Sequence, residues 1–116
     1  MQKESSSSVR IFYPKSNRED LIRKLREGIS HLTIKLPLSL AVLFGSYREG
    51  NYTVASDVDL LVVYKGKERR DAYKMVKKTM DIALLEPHVY SEDEYERLKK
   101  VIDRMIARGV VLFSQR

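Results

Sequence analysis

Three stretches of the chain repeat apolar residues every three to four positions, which is the spacing of a helix with one buried side. They predict helices from about Asn17 to Leu32, from about Glu68 to Met80, and from Ser91 to about Arg108. The apolar positions expected to face the core are Leu21, Ile22, Leu25, Ile29, Leu32, Ala72, Met75, Val76, Met80, Tyr95, Leu98, Ile102, Met105 and Ile106. Ser91 and Glu94 have the spacing of a capping box, and we expect Gly109 to end the third helix in the left-handed conformation.

Short apolar runs between these helices predict the strands of a sheet. The runs 40–44, 60–63 and 82–90 are each too short for a typical helix and are flanked by glycine, proline or charged residues. A further run, Val9 to Tyr13, is stopped by Pro14 and predicts a strand that either pairs at a sheet edge or lies over the core. Val110 to Phe113 predicts either a short closing strand or a hydrophobic clasp over the core.

The length of 116 residues fits a single domain, which we predict to cover residues 9–116. An apolar content of 43% with three prolines and five glycines is typical of a globular chain. Residues 1–8 are polar and include four consecutive serines, so they predict a flexible N-terminal tail.

The composition excludes several classes of protein. The chain has no cysteine, so neither a disulfide framework nor a thiolate metal site can form. Its longest apolar runs, such as residues 38–44, are far shorter than the roughly 20 residues of a membrane span. No secretory pattern precedes them, and we therefore expect a cytoplasmic protein with no membrane partner.

The charge is positive but mixed. A net charge of +6 allows attraction to phosphate-rich partners, yet 22 basic residues are interspersed with 16 acidic ones, a pattern typical of a solvated surface. Lys74, Lys77 and Lys78 could meet nucleotide phosphates or nucleic acid, or they could be solvated. A basic nucleic-acid-binding module therefore stays open as one hypothesis.

Two aspartates open the second apolar run. Side chains alternate along a strand, so Asp57 and Asp59 would project from the same face, roughly 7 Å apart at Cα. Two carboxylates so close repel each other unless a cation lies between them. Mg²⁺ prefers oxygen ligands and usually takes one or two protein carboxylates together with substrate phosphates. The pair therefore predicts a magnesium site.

A turn follows the first apolar run. Gly45 permits a sharp turn and a close approach of a ligand, and Ser46 could cap a short helix whose free N–H groups bind an anion. Arg48, one turn past Ser46, could contact a triphosphate or be an exposed helix arginine. Tyr47, Tyr52 and Tyr64 could stack on a base or could pack against the strands. A metal site beside a phosphate-binding turn indicates nucleotide handling.

Gly45-Ser46, ten intervening residues and then Asp57-x-Asp59 resemble the signature of the nucleotidyltransferase superfamily that includes DNA polymerase β. The short chain is most similar to the minimal nucleotidyltransferases of archaea and bacteria. The resemblance implies an α/β (α+β) fold with a small mixed sheet flanked by helices. It covers about residues 20–113, and its order of elements agrees with the order predicted from the apolar pattern.

The resemblance also implies a two-metal mechanism. Asp57 and Asp59 would hold two Mg²⁺ ions with the triphosphate of an NTP, and Gly45 and Ser46 would bind its β and γ phosphates. Members of the family carry a third carboxylate on a later strand. Glu86 is the position that matches it best, within the run 82–90, and Asp81 is the alternative. Alternation places His88 and Tyr90 on the same face as Glu86.

Minimal nucleotidyltransferases are often encoded with a HEPN-domain ribonuclease toxin, which they neutralise, in studied cases by transferring AMP to it. The resemblance therefore implies ATP as the substrate, the hydroxyl of a protein tyrosine as the acceptor and a HEPN-type partner. A non-catalytic nucleotide-binding antitoxin subunit is the competing hypothesis. The base of the NTP, the acceptor and a homodimeric state are left open by the sequence.

Overall fold

The computed structural model describes residues 15–45 and 58–115 and contains a four-stranded sheet with helices on both faces. The helices are α1 (Lys15–Lys35), α2 (Ala72–Met80), α3 (Glu92–Arg97) and α4 (Lys99–Met105). The strands are β1 (Leu38–Phe44), β2 (Val58–Tyr64), β3 (Leu85–Ser91) and β4 (Val110–Ser114). The predicted α/β fold with a small sheet flanked by helices is confirmed.

The sheet is mixed, with the strand order β3-β2-β1-β4. β1 pairs antiparallel with both β2 and β4, whereas β2 and β3 are parallel and are connected through α2. The segment Val110 to Phe113 is therefore a strand at the sheet edge, which decides between the two predictions made for it. β3 forms the opposite edge, where Pro87 is tolerated because an edge strand needs ladder bonds on one side only.

α1 and α2 cover one face of the sheet. Their buried residues interlock with side chains of β1 and β2, and the predicted inward positions of both helices are buried or packed against this core. The fully buried members are Leu25, Leu32, Leu36, Ala41, Leu43, Leu60, Val62 and Val76. Burying each large apolar side chain contributes about 1.5–3 kcal/mol, so this layer contributes substantially to the stability of the described residues.

α3 and α4 cover the other face, but only part of it. Tyr95 and Ile102 pack on residues of β1 and β2 that alternate with those of the first core. This second cluster comprises Leu40, Val42, Phe44, Leu61, Val63, Tyr95 and Ile102. The capping box predicted from Ser91 and Glu94 is present, with both of its hydrogen bonds, and it begins α3 directly at the end of β3.

The prediction of one continuous third helix was wrong. The helix is interrupted at Leu98, whose φ of −109° and ψ of 16° are not helical, and 43% of this residue is exposed, so it does not face the core. Neither proline nor glycine marks the interruption, which is why periodicity could not predict it.

The Tyr95 hydroxyl donates a hydrogen bond to Asp103 across the break at 2.5 Å. Hydrogen bonds to the Tyr95 hydroxyl and to Asp103 raise the pKa of Lys99.

Gly109 has a different role from the one predicted. Among the glycines of the described residues, only Gly45 and Gly66 have positive φ, so Gly109 does not end α4 in the left-handed conformation. A Cβ at this position would lie 2.4 Å from a methyl group of Val42 and 2.8 Å from the carbonyl oxygen of Leu43. Gly109 is therefore required because the chain passes close to β1.

Several predictions concern residues outside the described ranges: the tail 1–8, the strand Val9 to Tyr13 and the boundaries of the single domain all stay predictions. Within residues 15–45 and 58–115, no helix has the length and apolar character needed to cross a membrane.

Candidate active site

The candidate site lies at the end of the sheet where β1 finishes and where β2 and β3 start. Asp59, the second residue of β2, has Phe44 of β1 as its Cα partner on one side and Glu86 of β3 on the other. Side chains of directly paired residues project from the same face of a sheet, so Asp59 and Glu86 stand side by side, about 5 Å apart at Cα. The register thus brings together two of the three predicted carboxylates.

Gly45 shapes the position of the Asp59 carboxylate. It follows β1 directly and has a φ of +83°, a conformation that side chains disfavour. A Cβ at Gly45 would lie 2.3 Å from Oδ2 of Asp59 and 3.2 Å from its Cγ. The predicted turn glycine is therefore also a close neighbour of the predicted metal ligand, and its lack of a side chain leaves the space that the carboxylate occupies.

His88 also reaches this site. Its Nε2 lies 3.3 Å from Oδ1 of Asp59, and its ring contacts that of Phe44 with the ring centroids 5.0 Å apart. The sequence placed His88 on the face of Glu86 by alternation but assigned it no role. A role for His88 could have been inferred from its position two residues after Glu86, on the same face of a strand that is predicted to lie beside Asp59.

The two candidates for the third carboxylate lie in different settings. Glu86 is an exposed residue of β3, whereas Asp81 caps the C-terminus of α2 in the left-handed conformation, with φ 47° and ψ 53°. β3 begins at Leu85 rather than at Ile82 as predicted, because Leu84 is also left-handed, with a φ of 62°. The carbonyl of Leu84 accepts the N–H of Val58 at 2.9 Å, which joins the starts of β2 and β3.

Asp57, Ser46 and Arg48 lie outside the described residues, so their predicted roles stay predictions. In the part of the chain that the structure describes, no three His, Cys, Asp or Glu side chains are arranged to hold a metal ion. The predicted set includes Asp57, and the two members that are described, Asp59 and Glu86, offer the hard oxygen donors that Mg²⁺ prefers.

Other candidates lie away from the site or have partners of their own. Tyr64 is 1% exposed at the far end of β2, where its hydroxyl accepts the N–H of Arg69, so it packs and does not stack on a base. Lys77 donates to the carbonyl of Leu85 at 2.8 Å. A cavity of about 280 Å³ lies on the opposite face, lined by Lys35, Asp71, Lys74, Met75, Lys78 and Thr79.

Comparison with known proteins identifies what this arrangement is similar to. The family model described as "Nucleotidyltransferase domain" matches residues 22–111, which include Gly45, Asp59 and Glu86. No curated protein sequence matches the chain significantly.

Two solved structures are similar to the chain in fold. One is the crystal structure of a candidate nucleotidyltransferase from Sulfolobus solfataricus, with 22% identity, a TM-score of 0.61 and coverage of 84% of both chains. The other belongs to a toxin–antitoxin crystal structure with AMP-PNP, with 20% identity and a TM-score of 0.57. That match covers 78% of this chain and 74% of the other.

Proposed function

Because the chain belongs to the nucleotidyltransferase domain family, we propose that it transfers a nucleoside monophosphate, in the first instance AMP from ATP, to an acceptor hydroxyl. The observation that carries the proposal is the pairing of Asp59 with Glu86 at the sheet end where Gly45 turns. Adjacent carboxylates beside a tight turn suit a reaction that handles a divalent cation together with a triphosphate.

Magnesium is the cofactor that these donors fit. Carboxylate oxygens suit Mg²⁺, and Asp57, Asp59 and Glu86 would hold two such ions. When bound, the ions stabilise the negative charge on the entering and leaving oxygens of the displacement.

The remaining roles belong to side chains and backbone of this chain. Gly45 and Ser46 bind the β and γ phosphates through the backbone, and Arg48 contacts the triphosphate. The oxygen of the acceptor hydroxyl attacks the α-phosphorus in line, and Glu86 accepts the proton that this hydroxyl loses. The new O–P bond forms while the bond from the α-phosphorus to the bridging oxygen breaks, and pyrophosphate leaves with that oxygen.

The proposed acceptor is a hydroxyl of a partner protein, a HEPN-type toxin that the chain would inactivate. Support comes from the fold, which is similar to that of a chain in a toxin–antitoxin structure with AMP-PNP.

Incubation with Mg²⁺ and either α-labelled or γ-labelled ATP tests the proposal. We expect the wild-type chain to move the α label to an acceptor and to release pyrophosphate, with no transfer from the γ position. The reaction is run with and without the protein encoded beside it, and with EDTA as the control. Transfer of the γ label would instead identify a phosphotransferase. Binding of all four NTPs without any transfer would identify a non-catalytic nucleotide-binding subunit.

Replacement of Gly45 by alanine is expected to disable the site selectively. The new methyl group would displace the Asp59 carboxylate, and a misplacement of about 1 Å costs roughly 100-fold in rate. Gly66→Ala is the matched control, because Gly66 has a similar φ of +92° but a Cβ there would meet no atom of the described residues within 4 Å. Both variants should lose about 1–2 kcal/mol of unfolding free energy from strain at positive φ. Equal transfer rates in the two variants would contradict this account.

A further inference from the structure

His88 is bound to Asp59 in a defined direction. An ionised carboxylate can only accept hydrogen bonds, so the imidazole nitrogen that faces it must carry the hydrogen. The Nε2 atom, at 3.3 Å from Oδ1, is therefore the donor. We therefore expect the neutral imidazole to carry its hydrogen on Nε2 and not on Nδ1.

The imidazole is itself held in place. Its ring lies against Phe44 at an interplanar angle of 59°, an edge-to-face type of contact that favours one ring orientation. Phe44 is 8% exposed and belongs to the cluster under α3 and α4, so the imidazole packs against a buried core residue. Phe44, Asp59 and His88 therefore form one contact chain across β1, β2 and β3.

The two oxygens of Asp59 face different neighbours. Oδ1 accepts from His88, and Oδ2 lies in the space left by the missing side chain of Gly45. With 27% of the Asp59 side chain and 31% of the His88 side chain exposed, the carboxylate stays accessible while its rotation is restricted. Such a carboxylate loses little orientational freedom when it binds a cation.

We propose that His88 is a positioning residue, whose Nε2–H fixes the Asp59 carboxylate in the orientation that binds a divalent cation. The inference rests on the proposed function in one respect, which is that Asp59 is a metal ligand. Partners that hydrogen-bond to metal ligands typically change metal affinity by about 10- to 100-fold when they are removed. His88 acts on the cation only through Asp59.

Two substitutions separate the hydrogen bond from the ring packing. His88→Phe keeps a ring against Phe44 but has no donor, whereas His88→Gln keeps an N–H donor and loses the ring. With Mn²⁺ as the probe, and calorimetry or paramagnetic resonance as the measurement, we expect His88→Phe to bind at least about tenfold more weakly than wild type. His88→Gln should bind within a few-fold of wild type. His31→Ala is the control, since His31 is the only other histidine in the sequence and is exposed on α1.

Nitrogen NMR of the full chain gives a readout independent of metal binding and of the stability of any His88 variant. With only two histidines, the His31→Ala spectrum assigns His88 directly. We expect the hydrogen of neutral His88 on Nε2, and finding it on Nδ1 would overturn the inference.

The outcomes also distinguish this inference from the proposed function. If wild type binds Mn²⁺, Asp59→Asn abolishes the binding and His88→Phe retains it, the positioning role is wrong and the metal site stands. Equal losses in His88→Phe and His88→Gln would also overturn the role, because the donor would then not matter. If wild-type binding of Mn²⁺ does not depend on Asp59, the proposed metal site itself fails and the role of His88 fails with it.

Discussion

Replacing Asp59 by asparagine is expected to lower nucleotidyl transfer by about two to three orders of magnitude while the fold stays intact. Asparagine keeps the size of the side chain and an oxygen that can accept from His88, but it removes the negative charge that a cation needs. The measurement is the single-turnover rate with α-labelled ATP and saturating Mg²⁺. A variant that keeps more than a tenth of the wild-type rate would contradict the assignment of Asp59.

The same substitution should not destabilise the protein. Asp59 and Glu86 are Cα partners on one face of the sheet, and like charges in that position cost about 0.2–1 kcal/mol. In the absence of metal, Asp59→Asn is therefore expected to leave the unfolding free energy unchanged or to raise it by up to about 1 kcal/mol, as measured in urea. A residue whose removal improves stability and abolishes activity is retained for its function.

Asp20→Asn is the matched control for the loss of one charge. Asp20 is half-exposed on α1 and forms an ion pair with Arg23, which lowers the pKa of Asp20, so the folded state favours the ionised form. Above the ordinary pKa of aspartate, this substitution should reduce stability slightly and leave transfer unchanged. Asp20→Asn is thus expected to lower the unfolding free energy and keep the transfer rate. Asp59→Asn is expected to keep or raise the unfolding free energy and to lose transfer. A loss of transfer in Asp20→Asn would point to a general charge effect.

The elements of this fold follow from local patterns. Apolar residues at helical spacing predict α1 and α2 with the correct buried positions, and the capping box at Ser91 predicts the start of α3. Local patterns do not predict the pairing of Asp59 with Glu86, because register and strand order depend on contacts between residues that are distant in sequence. The resemblance to a family supplied Glu86 as a candidate, and local periodicity alone would not have distinguished it from Asp81.

Three features could not be predicted, and the last two of them depend on tertiary contacts. The interruption at Leu98 has no proline or glycine to mark it. Gly109 resembles a helix cap in sequence but is required by the proximity of β1. The contact of His88 with Asp59 joins residues that are 29 positions apart. Gly109 and His88 each have a satisfactory local interpretation, and a neighbour that is remote in sequence decides the role of each.

Replacing Glu86 by glutamine is expected to reduce transfer by about a hundredfold, the usual contribution of a positioned proton acceptor. Glutamine has the same length but can neither take the proton of the acceptor hydroxyl nor provide a charged ligand. Glu86 is exposed on an edge strand, and its replacement removes the same repulsion from Asp59, so the variant should unfold at the same urea concentration as wild type or at a slightly higher one. The single-turnover rate and the affinity for ATP are measured together, because a role in chemistry lowers the first more than the second.

Asp81→Asn decides between the two candidates for the third carboxylate. Asparagine adopts the left-handed conformation as readily as aspartate, so the cap of α2 should be preserved and the transfer rate should stay within about twofold of wild type. If Asp81→Asn instead loses transfer and Glu86→Gln retains it, the third carboxylate comes from the turn before β3. The pairing of Glu86 with Asp59 would then be part of the sheet structure and have no role in the transfer reaction. The expected result is the reverse, because Glu86 lies on β3 in register with Asp59 and can approach the same substrate atoms from the neighbouring strand.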